Sequence, residues 1–427
     1  MVGGKGKFYK LNHEQIFQSI LTLAQKQAQQ IKQKQLVYKN PTALYYKDMI
    51  YLNLLMNDSP LQQDNQVEIF IDGQDKFNAL FQCIQEAKDH IHLLYYKVKN
   101  DALGTRMMNA LVQKAKEGVH VKLLYDDIGS PGLTSDFFVD LKKAGGETTA
   151  FFSSKIPFVN PRINYRNHRK IVVIDGEIGF IGGFNIGKEY LGLDPGIGYW
   201  RDTHLKLTGG AVHILQAHFF LDWNISRKHP VSFEPKYYPT MYKHGDVAVQ
   251  IVSSGPNLKY NHIQTAFIKM IYSAKKNVYI QTPYFIPDEC LLMALKIVAL
   301  SGVDVKVMTP IKSISKFLHW ASYSYLGELM ASGVKCYFYE KGFLHAKTIV
   351  VDSKIASVGT SNFDIRSFKL NFEINAFIYD TPTSQKLEQF FVEDLVHCRE
   401  ETILDYEKRS SSFKFMESII RLFSPIM

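Results

Sequence analysis

A single arrangement of five residue types occurs twice in this 427-residue chain, without insertion or deletion in either copy. The copies comprise His168, Lys170, Asp175, Gly182 and Asn185, and then His345, Lys347, Asp352, Gly359 and Asn362. Each residue of the second copy lies 177 positions after its partner. If each residue type occurs at a few per cent, one match is expected at on the order of 10⁻⁷ per start position, so two matches are not chance. The chain is therefore expected to fold into two similar halves.

The sequence around the two motifs repeats as well. Segments that begin at Val67 and Val247 both predict a strand, an amphipathic helix and a second strand. Another predicted helix and strand follow in each half, and Gly118 and Gly302 stand where a helix C-cap belongs. Alternating strands and helices favour a mixed or parallel sheet with helices on both faces in each half. The predicted fold class is therefore α/β, with the unit duplicated.

Four parts are predicted along the chain. They are a basic, helical peripheral segment (1–58), a first domain with the first motif (59–240), a second domain with the second motif (241–400) and a C-terminal amphipathic tail (401–427). Residues 1–40 hold seven lysines and one acid, Glu14, which fits either a solvated arm or a membrane-facing helix. The tail has an apolar stripe that fits either packing on the domain or insertion into a membrane. The stripe consists of Phe413, Met416, Ile420 and Phe423.

The net charge of +9 favours anionic partners such as phosphate, nucleic acid or acidic lipid, although a merely soluble basic protein would carry the same charge. The four cysteines are far apart and show no spacing typical of a metal site, so they are interpreted as reduced thiols in a reducing compartment. No secretory signal opens the chain, and no apolar run reaches about 18 residues. The chain as given is therefore not expected to span a membrane, which leaves attachment to a membrane surface open.

Each motif predicts half of a site for an anionic group. The runs that begin at His168 and His345 resemble short buried strands, in which side chains two apart face the same way. Each histidine and the lysine after it should therefore point together. The motif glycines would let the backbone approach a ligand closely, and Asn185 and Asn362 would supply amide donors beside it.

Two such half-sites would place a histidine on either side of a bound phosphodiester, as in-line displacement requires. One ring can attack phosphorus and the other can protonate the leaving oxygen, while the lysines and asparagines stabilise the non-bridging oxygens. These fixed cations already neutralise the phosphate, so neither a metal nor another cofactor is predicted. Two rings beside one anion would titrate as a pair, so their apparent pKa values belong to both.

A buried acid behind each ring would fix its tautomer and stabilise the imidazolium. The second half offers Glu373 and the first half offers Asp202, which follows a short insertion around "GLDPGIG". Asp175 and Asp352 complete the catalytic motif. Because each ends a predicted strand before a turn, its expected role is to hold the loop and the lysine, not to contact the substrate.

The paired motifs resemble the HKD motifs of the phospholipase D superfamily, and their flanks are similar to those of bacterial cardiolipin synthases. The similar segments include "NYRNHRKIVVIDGEIGFIGGFNIGKEYLG", "YWRDTHLKLTGGAV", "GFLHAKTIVVD", "GTSNFDIRSF" and "LNFEIN". The resemblance covers roughly residues 48–427. It implies two duplicated phospholipase D-like α/β domains related by a pseudo-twofold axis, with the active site at their interface.

The resemblance also implies an activity, the transfer of a phosphatidyl group from one phosphatidylglycerol to another with release of glycerol. His168 would be the nucleophile, forming a phosphatidyl-histidine, and His345 the general acid and then the base. Asp202 and Glu373 would orient the rings. The phosphate would be held by Lys170, Lys347, Asn185 and Asn362. Expected partners are phosphatidylglycerol and an anionic membrane surface, with peripheral attachment to the cytoplasmic face of a bacterial cell membrane.

Three other functions stay open on the sequence. A phospholipase D hydrolase or a headgroup-exchanging transferase would use the same residues but would release phosphatidic acid or an exchanged lipid. A nuclease of the superfamily would suit the charge, but no recognition-helix or RNP-type pattern occurs, so nucleic acid is not an expected partner. A catalytically inactive homologue is disfavoured because both motifs are intact. The oligomeric state is not predicted.

Overall fold

The computed structural model describes residues 14–152, 164–227, 231, 234–240, 245–311 and 316–423. The strands are β1 Gln62–Phe70, β2 His90–Tyr95, β3 His120–Asp126, β4 Glu147–Phe151, β5 Arg166–Asn167, β6 Ile171–Ile174, β7 Ile178–Gly182, β8 Trp200–Arg201, β9 His204–Thr208, β10 Val247–Ser254, β11 Asn277–Gln281, β12 Phe285–Ile286, β13 Asp304–Pro310, β14 Lys335–Tyr339, β15 Phe343–Leu344, β16 Thr348–Val351, β17 Ile355–Gly359, β18 Phe363–Asp364, β19 Asn371–Tyr379 and β20 Cys398–Glu401. The α-helices are α1 Glu14–Lys32, α2 Pro41–Tyr45, α3 Lys47–Asn57, α4 Gly73–Glu86, α5 Ala102–Lys116, α6 Val139–Lys143, α7 Ala211–Ile225, α8 His262–Tyr272, α9 Glu289–Leu300, α10 Lys316–Met330, α11 Ile365–Lys369, α12 Thr381–Leu395, α13 Ile403–Glu407 and α14 Ser411–Phe423.

One mixed sheet runs through both halves of the chain. From its outer edge inward, the first half has the order β4-β3-β2-β6-β7-β9-β1, and the second half has β14-β13-β11-β16-β17-β19-β10, with β20 beyond β14. The two halves meet where β1 pairs antiparallel with β10. Equivalent strands thus follow the same order outward from this junction, as a pseudo-twofold axis requires. The predicted α/β fold with a duplicated unit is confirmed.

Local sequence explains where the repeated helices begin and end. Asp72 caps α4 by accepting hydrogen bonds from the backbone N–H groups of Gln74 and Asp75. The helices α5 and α9 end just before Gly118 and Gly302, whose φ angles of 91° and 90° lie in the left-handed region that glycine tolerates. Both predicted C-cap glycines are therefore confirmed.

The N-terminal segment does not extend into solvent in the described part of the chain. Helices α1 to α3 precede the first half in sequence, yet their buried residues, among them Ala24 and Ile50, share a core with Phe267 of the second half. The Asn53 side chain also donates a hydrogen bond to Gln250 Oε1 on β10, at 3.2 Å. The solvated-arm interpretation is therefore wrong for these helices, because they cover apolar surface of the second half.

The C-terminal helix α14 also packs on the second half. Phe413 and Ile420 from the predicted stripe contact its core, whereas Met416 is 37% exposed and the Phe423 side chain lies outside the described residues. Arg409 and Glu417 form an ion pair at 2.8 Å that ties the helix to the preceding turn. Among the described residues, no helix is both long enough and apolar enough to cross a membrane.

Candidate active site

A single cavity of about 680 Å³ is lined by residues from both halves. His168 and Asn185 reach it from the first half, and His345 and Asn362 reach it from the second. All four are largely buried, with exposed fractions of 9% or less. The duplication has thus brought the histidine and asparagine of both motifs to one place.

Each histidine is backed by a carboxylate from the opposite half. His168 Nδ1 lies 3.0 Å from both oxygens of Glu373, and His345 Nδ1 lies 2.6 Å from Asp202 Oδ2. Both carboxylates are fully buried. Because Nδ1 of each ring faces its acid, Nε2 is the nitrogen left to face the cavity.

Backbone pairing explains why the acids cross between the halves. Strand β5 pairs with the start of β19, which contains Glu373, and β15 pairs with β8, which ends one residue before Asp202. The residues before each histidine therefore lie against the segment that positions its acid. The His168 N–H donates to Phe372 O at 2.9 Å, next to Glu373. The His345 N–H likewise donates to Arg201 O at 2.7 Å, next to Asp202.

The lysines are placed differently from the sequence prediction. Strands β6 and β16 begin at the residue after each lysine, so the His-x-Lys segments themselves are not strands. Lys170 Nζ donates to the carbonyl of His168 at 2.6 Å, and Lys347 Nζ donates to that of His345. Both lysines are buried and neither lines the cavity. Each ammonium thus bonds the backbone of its own histidine, and that of Lys170 also lies 5.4 Å from the ring centroid of the cavity residue Tyr96. That each lysine faces the same way as its histidine stays a prediction.

Burial controls the charge of the two rings. It lowers the pKa of His168 to about 4 and that of His345 to about 3, although Glu373 and Asp202 act in the opposite direction. Burial alone would raise the pKa of both acids, but the adjoining histidine and a lysine hold the pKa of each below its usual range. Both acids are therefore ionised at neutral pH, and both rings are neutral in the free protein.

The same effect acts on the two buried ammonium groups. Burial lowers the pKa of Lys170 to about 7, and the nearby Lys347 ammonium adds to this shift. Burial also lowers the pKa of Lys347 to about 8, against the attraction of Asp202. Both pKa values thus lie near physiological pH, where each lysine is close to losing its proton.

The motif asparagines already have partners within the protein. Asn185 accepts a hydrogen bond from the backbone of Lys97 at 3.1 Å and donates to the Tyr190 hydroxyl at 3.1 Å. Asn362 donates to Asp364 Oδ2 at 3.0 Å. Because each amide has two N–H bonds, one remains in each side chain for an anion in the cavity.

The motif glycines make room for protein and not for a ligand. A Cβ atom on Gly182 would lie 2.5 Å from the backbone of His204, and one on Gly359 would lie 2.3 Å from the side chain of Asn375. Neither glycine lines the cavity. The prediction that they let the backbone approach a ligand is wrong, because they let β7 and β17 lie close to β9 and β19.

Several cavity residues were not singled out from the sequence, namely Tyr96, Arg166, Trp200 and Arg366. The Tyr96 ring centroid lies 4.8 Å from that of His168, and the Trp200 ring centroid lies 5.1 Å from that of His345. Arg166 and Trp200 each stand two positions before a predicted site residue. Since side chains two apart in an extended chain share a face, this spacing could have revealed them.

Comparison with known proteins supports the motif-based resemblance. A family model described as "Cardiolipin synthase, PLD-like domain" matches residues 80–198 and 267–395, more than half of the chain. A cardiolipin synthase from Listeria monocytogenes serotype 4b (strain CLIP80459) is 50% identical over 402 residues, or 94% of this chain and 83% of the relative. The chain belongs to the cardiolipin synthase family. The major cardiolipin synthase ClsA of Bacillus subtilis (strain 168) is also 50% identical, over 95% of this chain and 84% of that protein.

Membership of the cardiolipin synthase family makes the chain an enzyme, a phosphatidyltransferase of the phospholipase D superfamily in which the PLD-like domain is present twice. The crystal structure of phosphatidylserine synthase from Haemophilus influenzae Rd KW20 matches with a TM-score of 0.66 over 89% of this chain and 98% of that one. With 15% sequence identity, this likeness shows a shared fold alone.

Two motif residues of this cardiolipin synthase family member lie outside the cavity. Asp175 accepts hydrogen bonds from the backbone N–H groups of Lys88, Asp89 and His90, at 2.8 to 2.9 Å. Asp352 does the same for the three N–H groups of residues 275–277. Each carboxylate thus ties the turn after a motif strand to the start of the neighbouring strand, β2 or β11. Neither bonds its motif lysine in the described structure, so the predicted contact with the lysine is absent.

Removing these carboxylates should destabilise the protein. We expect Asp352→Ala to lower the free energy of unfolding by about 2–4 kcal/mol, because three backbone donors lose a charged acceptor. Asp352→Asn, which keeps one acceptor oxygen, should cost less. Chemical denaturation followed by circular dichroism measures both. Unchanged stability together with lost activity would instead assign Asp352 to the chemistry.

Proposed function

We propose that the protein transfers a phosphatidyl group between two phosphatidylglycerol molecules and produces cardiolipin and glycerol. The observation that carries this proposal is the pair of acid-backed imidazoles, His168 with Glu373 and His345 with Asp202, on one cavity. The curated cardiolipin synthases at 50% identity support the same reaction class.

In the first step, Nε2 of His168 attacks the phosphorus of the donor lipid. The N–P bond forms as the P–O bond to the headgroup glycerol breaks, and His345 gives its proton to the departing oxygen. His168 meets the requirement for a nucleophile because burial keeps its ring neutral. His345 must bind a proton before it can donate one, and the negative charge of a bound phosphodiester favours the protonated form of a neighbouring imidazole.

In the second step, the terminal hydroxyl of the acceptor phosphatidylglycerol attacks the same phosphorus. His345 takes the hydroxyl proton, the new P–O bond forms and the N–P bond breaks, which regenerates neutral His168. Glu373 and Asp202 hold the rings in position and stabilise the charge that each develops. Lys170 and Lys347 act as fixed positive charges behind the rings, and Asn185 and Asn362 donate to the phosphate oxygens.

The phosphatidyl-histidine must meet a lipid alcohol before it meets water, which favours a site at a bilayer surface. We propose peripheral attachment to an anionic membrane on its cytoplasmic face. The net charge of +9 supports attraction to acidic lipids. The exposed side chain of Phe415 on α14, 65% accessible, supplies an apolar contact.

Analysis of lipid products tests the proposal. Incubation with phosphatidylglycerol vesicles, followed by mass spectrometry, should give cardiolipin and glycerol in equal amounts. Phosphatidic acid as the main product would replace the synthase with a hydrolase. Co-sedimentation should recover the protein with phosphatidylglycerol vesicles and much less of it with phosphatidylcholine vesicles; equal recovery would rule out an anionic surface as partner.

The lysine pKa values predict a pH dependence. As pH rises through 7 and 8, Lys170 and Lys347 lose their protons in the free protein. The value of kcat/KM for short-chain phosphatidylglycerol should therefore fall from about pH 7 upward. The fall should be about tenfold per pH unit once Lys170 is neutral, and steeper above about pH 8, where Lys347 is neutral too. A kcat/KM that stays flat to pH 10 would contradict a catalytic role for the ammonium groups.

A further inference from the structure

The repeated architecture builds two chemically different walls beside the two histidines. Strand β5 sets Arg166 opposite Asn371 beside His168. The equivalent strand β15 sets Phe343 opposite Trp200 beside the other ring. Arg166 and Phe343 are 177 positions apart and so occupy matching places in the duplication. One end of the cavity is therefore polar and cationic, and the other is aromatic.

A second pair of matching positions also differs in charge between the two halves. Glu189 and Arg366 are also 177 positions apart, and both line the cavity. Glu189 is neutralised by Lys99, whose Nζ lies 2.6 Å from its carboxylate. Arg366 donates to the backbone carbonyl of Asn164 at 3.1 Å. The duplication thus carries an ion pair in one half and an arginine at the same place in the other.

The two arginines lie near each other and close to His168. Both line the same cavity as His168. Burial lowers the pKa of Arg166 against the attraction of the Asp126 carboxylate, and the positive charge of Arg366 adds to the lowering. Burial and the Asp126 carboxylate raise the pKa of Tyr96, and both guanidinium groups act against this shift. The Tyr96 ring packs edge-on against His168. In the part of the chain that the structure describes, neither guanidinium forms an ion pair, and Arg166 donates to the carbonyl of Tyr165.

We infer that Arg166 and Arg366 form a second phosphate-binding subsite, which holds the phosphodiester of the acceptor lipid while its hydroxyl attacks. This inference rests on the proposed function. Two guanidinium groups on one cavity repel each other, although the Asp126 carboxylate attracts Arg166. A phosphodiester monoanion between them relieves this repulsion and accepts bidentate hydrogen bonds. The acceptor carries such a phosphate three carbons from its attacking hydroxyl, so the two groups can occupy different parts of one cavity.

The subsite would distinguish phosphatidylglycerol from neutral acceptors. Water and glycerol have no phosphate, so they gain nothing from the arginine pair. The aromatic wall of Trp200 and Phe343 borders His345, the ring that deprotonates the acceptor, and limits the approach of water. The arginines therefore act on the choice of acceptor and not on cleavage of the donor.

The test compares two acceptors for the same donor. Phosphatidylglycerol diluted in phosphatidylcholine vesicles is incubated with radiolabelled glycerol, and cardiolipin formation and incorporation of label into phosphatidylglycerol are both measured. In Arg166→Gln and Arg366→Gln, cardiolipin formation should fall about tenfold to a hundredfold, as expected for loss of a charged hydrogen bond. Glycerol exchange should stay within about twofold, because exchange needs no second phosphate.

Two further variants control the comparison. Arg366→Lys keeps the charge without the planar fork and should retain an intermediate rate of cardiolipin formation. Arg106→Gln removes a positive charge from an exposed position on α5 and should change neither reaction. Thermal unfolding shows whether each variant is folded.

The possible outcomes separate an acceptor subsite from a role in binding the donor phosphate and from no role in substrate binding. An equal fall of both reactions would assign the arginines to the donor phosphate, and no fall in either would show that they bind no substrate; both results overturn the subsite. If the unaltered protein exchanges labelled glycerol but makes no cardiolipin, the proposed function fails, and the inference fails with it.

Discussion

Replacing either ring with alanine, in His168→Ala or His345→Ala, is expected to abolish cardiolipin formation, with a loss of roughly 10⁴-fold or more. In the proposed mechanism, no phosphorus–nitrogen bond can form without the first ring, and the glycerol oxygen leaves unprotonated without the second. The fold should persist, because both side chains lie at the cavity and not in an apolar core. Lipid mass spectrometry measures the loss, and circular dichroism measures the fold.

A matched substitution shows whether the loss is specific. His120 is exposed on β3 and lies outside the cavity, so His120→Ala should keep its activity. The double variant His168→Ala with His345→Ala should be no less active than either single variant, because the rings act as a unit. Normal turnover in either single variant would remove the two-histidine mechanism.

Removing the charge of either buried acid is expected to have the next largest effect. Glu373→Gln and Asp202→Asn keep the shape of the side chain but no longer stabilise the imidazolium or fix the tautomer, which costs about 10²–10⁴-fold in kcat. Asp140→Asn, at an exposed position on α6, is the control and should be neutral. Activity within about twofold of the unaltered protein would show that the acids only fill space.

The crossed pairing gives this prediction a second readout. Proton NMR should show a downfield Nδ1–H resonance for each ring that donates to a buried carboxylate. Glu373→Gln should shift the resonance of His168, in the other half, and leave that of His345 nearly unchanged. Asp202→Asn should do the reverse. Loss of the resonance from the ring in the same half would contradict the pairing that the structure shows.

The duplication could be read from the sequence because it depends on local signals. Each copy of the motif, each strand or helix pattern and each C-cap glycine depends only on residues a few positions away. The C-cap glycines are Gly118 and Gly302, and the two motif copies lie 177 positions apart. They predicted the α/β class, the repeat and the family correctly. The predicted domain boundaries at residues 58, 240 and 400 stay predictions, since one sheet passes continuously through both halves.

The errors occurred where a neighbour distant in sequence determines the conformation. The His-x-Lys segments have an alternating pattern, but the N–H of His168 bonds the other half and Lys170 bonds the His168 carbonyl, so no strand forms there. The motif glycines were interpreted as space for a ligand, but the space at Gly359 is filled by Asn375 from the next strand. No local pattern contains this information.

The sequence by itself identified the histidine and the asparagine that each half contributes to the cavity, because the motif that contains them occurs twice. Only the tertiary structure decided how they are combined. It placed Glu373 behind His168 and Asp202 behind His345, turned each motif lysine onto the carbonyl of its histidine and brought Arg166 and Arg366 to one cavity. The physical reason is that the strand pairs β5–β19 and β15–β8 cross between the halves. Contacts between residues so far apart in sequence depend on how the whole sheet packs, and a short motif does not contain that information.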